Sequence, residues 1–410
     1  MQLTEWRPSP PMAVDLPVRR VLETIFGATV SAGHRPDEFV VRPGGVVGSV
    51  SVGDEVVTVT PKIDIDRVLF MVAYANDPYG WRSDLSAVGS VEDLVDGMAA
   101  LFAEACRPMV ARGLLRDYRR VDVDAAVVRG KVRWDVQARR WMPVPIALSH
   151  DVHDDDIVEN RVLREACQVL RRGALSAGSA GALAGVWSAV RDLTPLPGAV
   201  AALERMRWTR RNLHYRPALE LAGVILRGEM ADVVAGDVPV SGFTLVMHDV
   251  FERFVRVALR TAWGVGEREL PDSWSGRGLV LDKGGLVSLE PDIGWRRDDD
   301  GWRFVGDAKY RRDASGAGQS ADIYQALAYA VATGLPEVTL FYADGGLDRD
   351  HVVDSVGKTV RVRHLDLSLP PDVVLQKVAR LGHVQRVEDV NGNLAGRVGI
   401  RGRASASHAH

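Results

Sequence analysis

At 410 residues the chain is long enough for two or three domains with sizeable cores, and 46% hydrophobic against 26% charged residues is an ordinary globular composition. A net charge of −3 excludes a generally basic nucleic-acid coat, so contact with nucleic acid has to come from local patches. The two cysteines, Cys106 and Cys167, make neither a disulfide framework nor a four-ligand zinc site. With no signal-peptide pattern after Met1 and no apolar run of membrane-spanning length, the expectation is a cytoplasmic protein without a membrane partner.

Residues 1–90 read as a β-rich N-terminal domain. A helix near Leu16–Phe26 precedes three β-branched runs, Glu38–Arg42, Val46–Val52 and Glu55–Thr60, separated by the turn signals Pro43-Gly-Gly and Gly53-Asp. Pro61-Lys-Ile63 ends the last strand and Ile65–Tyr74 opens helical material. Residues 91–240 read as mostly helical. Val91–Leu115 carries Leu94, Met98, Leu101, Phe102 and Ala105 at helical spacing, Val121–Trp134 looks extended, and Ile157–Leu170 is a helix with Asp154–Asp156 at its positively polarised start. The small-residue stretch Gly173–Gly185 reads as a loop, and Ala218–Leu226 as a helix after the basic, aromatic Arg205–Arg216. Between Arg107 and Arg140 the cations outnumber the acids, which suits a nucleic-acid path or an acidic partner surface, and equally a solvated face. His150 and His153 read as exposed loop residues rather than metal ligands. Asp354-Ser-Val-Gly-Lys-Thr359 ends like a phosphate loop, but Val352 stands where the first glycine is required and a strand follows, so no nucleotide site is expected.

Residues 241–385 read as a third domain, with 386–410 an expected disordered tail. His248–Leu259 is a helix carrying Glu252. Leu289–Trp295 reads as a short strand ending near Asp292, Arg296–Gly301 as a turn, and Trp302–Tyr310 as a second strand, together a β-hairpin. Alternation along the second strand puts Asp307 and Lys309 on one face and Ala308 and Tyr310 on the other, and the hairpin brings Asp292 alongside. Two carboxylates, Asp292 and Asp307, with the Ala308 backbone carbonyl suit a hard divalent ion, Mg²⁺ or Mn²⁺. Beside them Lys309 can orient an attacking water or stabilise the crowded anion of phosphodiester hydrolysis. Arg311 and Arg312 follow directly and are candidates for phosphate contact. Gln319–Ala332 is a helix stopped by Gly334 and Pro336, with Gln325 and Tyr329 on one face; Val338–Tyr342 adds a strand and Asp372–Leu381 a closing helix.

The order helix Glu252, strand Pro291-Asp292, strand Asp307-x-Lys309, helix Gln325-x-x-x-Tyr329 resembles the PD-(D/E)xK nuclease superfamily, in particular members with the RecB-like Gln-x-x-x-Tyr helix. Ahead of it, Pro61-Lys62, Gly113-Leu with Tyr118, Arg129-Gly-Lys131, Asp156 with Glu159-Asn160-Arg161, and Phe251-Glu252 are collinear with the McrC subunit of modification-dependent restriction systems, over roughly residues 40–345. The first fifteen residues and the last twenty carry no part of the likeness. The resemblance implies an α+β or α/β multidomain protein: a small N-terminal β-rich domain that docks on a partner, a helical middle region, and a restriction-endonuclease-like domain whose mixed sheet is flanked by helices. It implies a Mg²⁺-dependent endodeoxyribonuclease of antiviral defence that works with a McrB-like AAA+ GTPase ring, stimulates its GTP hydrolysis, and cuts double-stranded, modified DNA. In that scheme Asp292 and Asp307 ligate metal, Lys309 assists the nucleophile, Glu252 and Gln325 orient water or the site, and Tyr329 touches substrate or positions Gln325. Two other readings stay open at this point: a regulatory activator of a ring NTPase with a silent nuclease, and a stand-alone RecB-like repair nuclease.

Overall fold

The computed structural model describes residues 1–81, 93–173, 175–229, 233–235, 238–274, 279–297, 301–311 and 318–381. Arg312, the turn residues 298–300 and the expected tail 386–410 lie outside the described residues. Contacts group the chain into two compact units. The first holds Met1–Val47, the described part of Thr58–Ser90 and the described residues from Leu245 onward; the second holds Gly48–Val57 and the described part of Val91–Thr244.

The first unit is built around a mixed sheet of five strands in the order Ile293–Arg297, Gly301–Lys309, Glu337–Tyr342, Lys358–His364, Arg349–Val353. The two outer pairings are antiparallel and the two inner ones parallel. The parallel step from Gly301–Lys309 to Glu337–Tyr342 requires a crossover, supplied by the helix Ser320–Thr333. That helix ends because Gly334 takes a left-handed φ of 77°, which glycine adopts without steric cost. Its inner face and the sheet bury Tyr329, Ala330, Val305, Leu340, Tyr342, Val360 and Val362 in one cluster. The central strand Glu337–Tyr342 is buried at all but its first residue, as a parallel strand covered on both faces is, whereas Lys358–His364 alternates between buried and part-exposed positions.

The helix Met247–Trp263 closes another side of this unit, stacking Trp263 on Trp295 at 5.1 Å and against Phe304 at 4.8 Å. Helix Ile65–Asn76 packs on it through Phe70 and Tyr74, whose rings lie 5.2 and 5.8 Å from Phe254. The N-terminal strands are as the β-branched runs require. Glu38–Arg42 pairs antiparallel with Thr29–Ala32 and Met12–Ala13, and a strand not expected from the sequence, Gln2–Thr4, pairs in parallel with Thr58–Thr60.

In the second unit helices Leu94–Arg112, Val158–Arg171, Ala177–Val190 and Arg216–Arg227 pack around Phe102, Leu163, Leu183 and Ile225. The expected loop at 173–185 is instead mostly helix: Ala177–Val190 is rich in alanine, the best helix former, and its Ser176 side chain caps the Ser179 N–H. His150 and His153 belong to a strand, Ile146–Asp154, paired along its whole length with Asp117–Ala125, rather than to an exposed loop. Asp156 accepts hydrogen bonds from Arg161 and Thr194; burial alone would raise its pKa, and these bonds outweigh it and hold the carboxyl well below its ordinary range. Glu159 and Asn160, from the same motif, tie Asn212 and the carbonyls of Leu115 and Asp155. In the basic stretch, Arg107, Arg119, Arg133 and Arg140 each pair with a carboxylate, of Glu104, Asp154, Asp122 and Asp124. Those arginines are engaged within the unit.

Candidate active site

Asp292 lies in the turn immediately before the strand Ile293–Arg297, not at a strand's end, because the ladder begins with Ile293 opposite Gly306. Gly294 is enforced two residues on: a Cβ there would meet the Trp274 indole at 2.2 Å, and that indole N–H donates to the Gly294 carbonyl at 2.9 Å. The Ala308 N–H donates to Asp292 Oδ2 at 2.8 Å. Asp307, two positions from Lys309 on the same face of its strand, is 1% exposed and forms an ion pair with the Lys309 ammonium. Its Oδ1 is buried and accepts no hydrogen bond among the described residues. Burial, and then the charge of Asp292, push the Asp307 pKa up to about 7 against the opposing pull of Lys309.

Glu252 reaches the same place from the helix Met247–Trp263, whose other face is anchored by Phe251, Phe254, Val255 and Leu259. One turn before it stands His248, a residue that reading by motif did not single out. Its signal in the sequence was the four-residue spacing that puts His248 and Glu252 on one helix face, 3.8 Å apart between Nε2 and Oε2. One donor atom from each of His248, Glu252 and Asp292 lies within 4.8 Å of the others. Burial, and then the Lys309 charge, lower the His248 pKa, which favours the neutral imidazole and its lone pair. Arg256, a turn beyond Glu252, pairs with it and donates from Nε to the Asp292 carbonyl at 3.2 Å.

Gln325 and Tyr329 form a relay behind Lys309. The Lys309 ammonium donates to Gln325 Oε1 at 3.3 Å, the Gln325 amide donates to the Tyr329 hydroxyl at 2.9 Å, and that hydroxyl donates to the Glu290 carbonyl at 3.1 Å. Burial, with the neighbouring carboxylates, raises the Tyr329 pKa and keeps it a donor. Arg311 is paired with Asp322.

The structure therefore brings together Asp292, Asp307, Lys309, Glu252, Gln325 and Tyr329, and adds His248. The donor set fits a divalent cation: His248, Glu252 and Asp292 bring an imidazole and two carboxylates within reach of one ion, and the buried Asp307 Oδ1, without a partner among the described residues, lies beside them.

The profile of the family described as "McrBC 5-methylcytosine restriction system component" matches residues 41–343. The chain belongs to that family. Among solved structures, this McrBC-family chain is similar in fold to one from the half-complex of Thermococcus gammatolerans McrB AAA+ hexamers with bound McrC. That likeness has a TM-score of 0.55 and 18% identity, and covers 94% of this chain and 99% of the other. A chain from the cryo-EM structure of the Thermococcus gammatolerans McrBC complex is 19% identical, with a TM-score of 0.40 over 64% of this chain and 87% of that one. No match is found among curated proteins.

Proposed function

We propose that this chain is the metal-dependent endonuclease subunit of a McrBC-type, modification-dependent restriction system. It hydrolyses phosphodiester bonds of double-stranded DNA in company with an AAA+ GTPase ring whose GTP hydrolysis it stimulates. The observation that carries the reading is the meeting of Asp292, Asp307 and Lys309, with Glu252 and His248 facing them from a helix. The antiparallel hairpin, crossover helix and parallel strand that hold them resemble a PD-(D/E)xK domain. Family membership, and the fold it shares with a chain from a McrB–McrC assembly, support the choice of system and partner.

Asp292, Asp307, Glu252, His248 and the Ala308 carbonyl would hold Mg²⁺, or Mn²⁺ in its place. When bound, the ion supplies Lewis-acid stabilisation of charge on the phosphoryl group. Lys309, steadied by Gln325 and Tyr329, presents its ammonium to the attacking water or to the charge that gathers on the phosphate. Arg256 fixes Glu252 and the Asp292 backbone.

The test is Asp307→Ala in the purified chain with its ring partner. Cleavage is abolished, while the fold, partner binding and stimulation of GTP hydrolysis persist. Cleavage retained by that variant rejects the nuclease assignment, and GTP hydrolysis unaffected by the wild-type chain rejects the activator role.

A further inference from the structure

Next to the carboxylates, a cleft of about 950 Å³ is lined by Lys309, Arg311 and His248, and across from them by the N-terminal turn Glu5–Pro8, Arg42 and Lys62. We propose that this N-terminal wall, with Arg7, Arg42 and Lys62 as its cations, grips the sugar–phosphate backbone of the nucleic-acid strand being cut. The proposal rests on the nuclease reading above and adds binding residues from a part of the chain outside the motif.

Charge is the first argument. Arg7 and Arg42 are exposed and have no carboxylate partner among the described residues; the Arg42 guanidinium donates to the Trp6 carbonyl at 3.2 Å, which keeps it on the wall. Lys62 sits 3.9 Å over the Tyr310 ring, beside the residue that follows Lys309. Among the described residues of the lining the one acid, Glu5, is 2% exposed and turned inward, where it accepts from the Tyr310 hydroxyl at 2.8 Å and the Lys62 backbone N–H at 2.7 Å. The face left to the cleft is cationic in a chain of net charge −3.

Backbone geometry is the second. Trp6 holds a φ of 60°, which a bulky side chain rarely adopts, and stays 44% exposed. The turn is pinned by the Trp6 N–H to the Pro43 carbonyl at 3.1 Å and by its ring against Gly45, where a Cβ would stand 3.0 Å away. A strained turn that sends an acid inward and an aromatic and an arginine outward offers a base-stacking face next to phosphate contacts. An acidic protein segment would also meet these cations. The cleft is continuous with Lys309, so a strand whose scissile phosphate sits at the carboxylates must run along it, which favours nucleic acid.

The experiment uses the full chain carrying Asp307→Asn, in EDTA, with a labelled short DNA duplex followed by fluorescence anisotropy across a salt series. Arg7→Gln, Arg42→Gln and Lys62→Gln each weaken binding several-fold and lower the log K against log salt slope by about 0.9 for each phosphate no longer neutralised. Arg7→Lys with Arg42→Lys restores most of it. Unchanged melting temperatures establish that the variants fold; should Lys62→Gln not fold, the two exposed arginines decide. Unchanged affinity and slope, no binding by the parent chain, or loss only of association with the ring partner each overturn the proposal. Binding is read without cleavage, so a wild-type chain that grips DNA through these residues yet fails to cut when supplied with its ring partner, GTP and Mg²⁺ overturns the nuclease reading alone.

Discussion

The Ala308 N–H donates to Asp292 Oδ2 at 2.8 Å, so one carboxylate of the pair is aimed by the backbone between Asp307 and Lys309. Asp292→Asn keeps an acceptor for that N–H and removes the charge. Its stability is expected within about 1 kcal/mol of wild type, with cleavage lost, whereas Asp292→Ala leaves a buried donor bare and costs about 1–3 kcal/mol more. Denaturant unfolding of the two variants side by side measures the difference; equal stabilities would show that the bond contributes nothing.

Asp307 is expected to tie pH to metal binding. Its folded pKa, about 7, lies above the ordinary 3.8, so between these values the folded chain binds more protons than the unfolded one. Stability of the metal-free protein therefore falls as pH rises through that window. A divalent ion binds the charged form, so the gain in melting temperature from added Mn²⁺ grows from pH 5 to 8. Asp307→Asn flattens both trends. Melts in EDTA and in Mn²⁺ across pH check this, and a wild-type gain independent of pH would refute it.

His248 is the least expected member of the cluster. His248→Ala should lower Mn²⁺ affinity by about 10–100-fold, read by calorimetry or by metal-dependent melting, with the apo protein little changed because the side chain is half-exposed. An unaltered Mn²⁺ affinity would remove His248 from the ligand set.

Tyr329→Phe deletes one hydroxyl from the relay between Lys309 and the Glu290 carbonyl. A fall in kcat of roughly 10–100-fold is expected, with KM nearly constant and a stability loss of about 1 kcal/mol, as the ammonium loses its orientation rather than its charge. A change confined to KM would instead place Tyr329 in substrate binding.

Local signals alone determined a good deal of this. Glu38–Arg42, Val46–Val52 and Glu55–Thr60 form strands at the residues their β-branched runs mark out. Gly334 stops the Gln325–Tyr329 helix where its left-handed φ is needed. The Asp307-Ala-Lys309 alternation follows from the period of a strand and needs no tertiary information. Other features were decided only by packing. Gly173–Gly185 reads as a loop because its residues are small and flexible; alanine content and the Ser176 cap allow a helix over Ala177–Val190, and burial of Leu183, Val186 and Val190 settles it. Ile146–Asp154 lacks clean alternation and is a strand because Asp117–Ala125 supplies its hydrogen bonds. His248 carries no motif of its own and gains meaning from the turn at Asp292, forty-four residues away, which folding sets beside it. The same holds for Glu5 and Tyr310, which are joined at 2.8 Å across 305 positions of chain. Short-range propensity acts over a turn or a strand, whereas such meetings depend on the whole unit excluding water from one core.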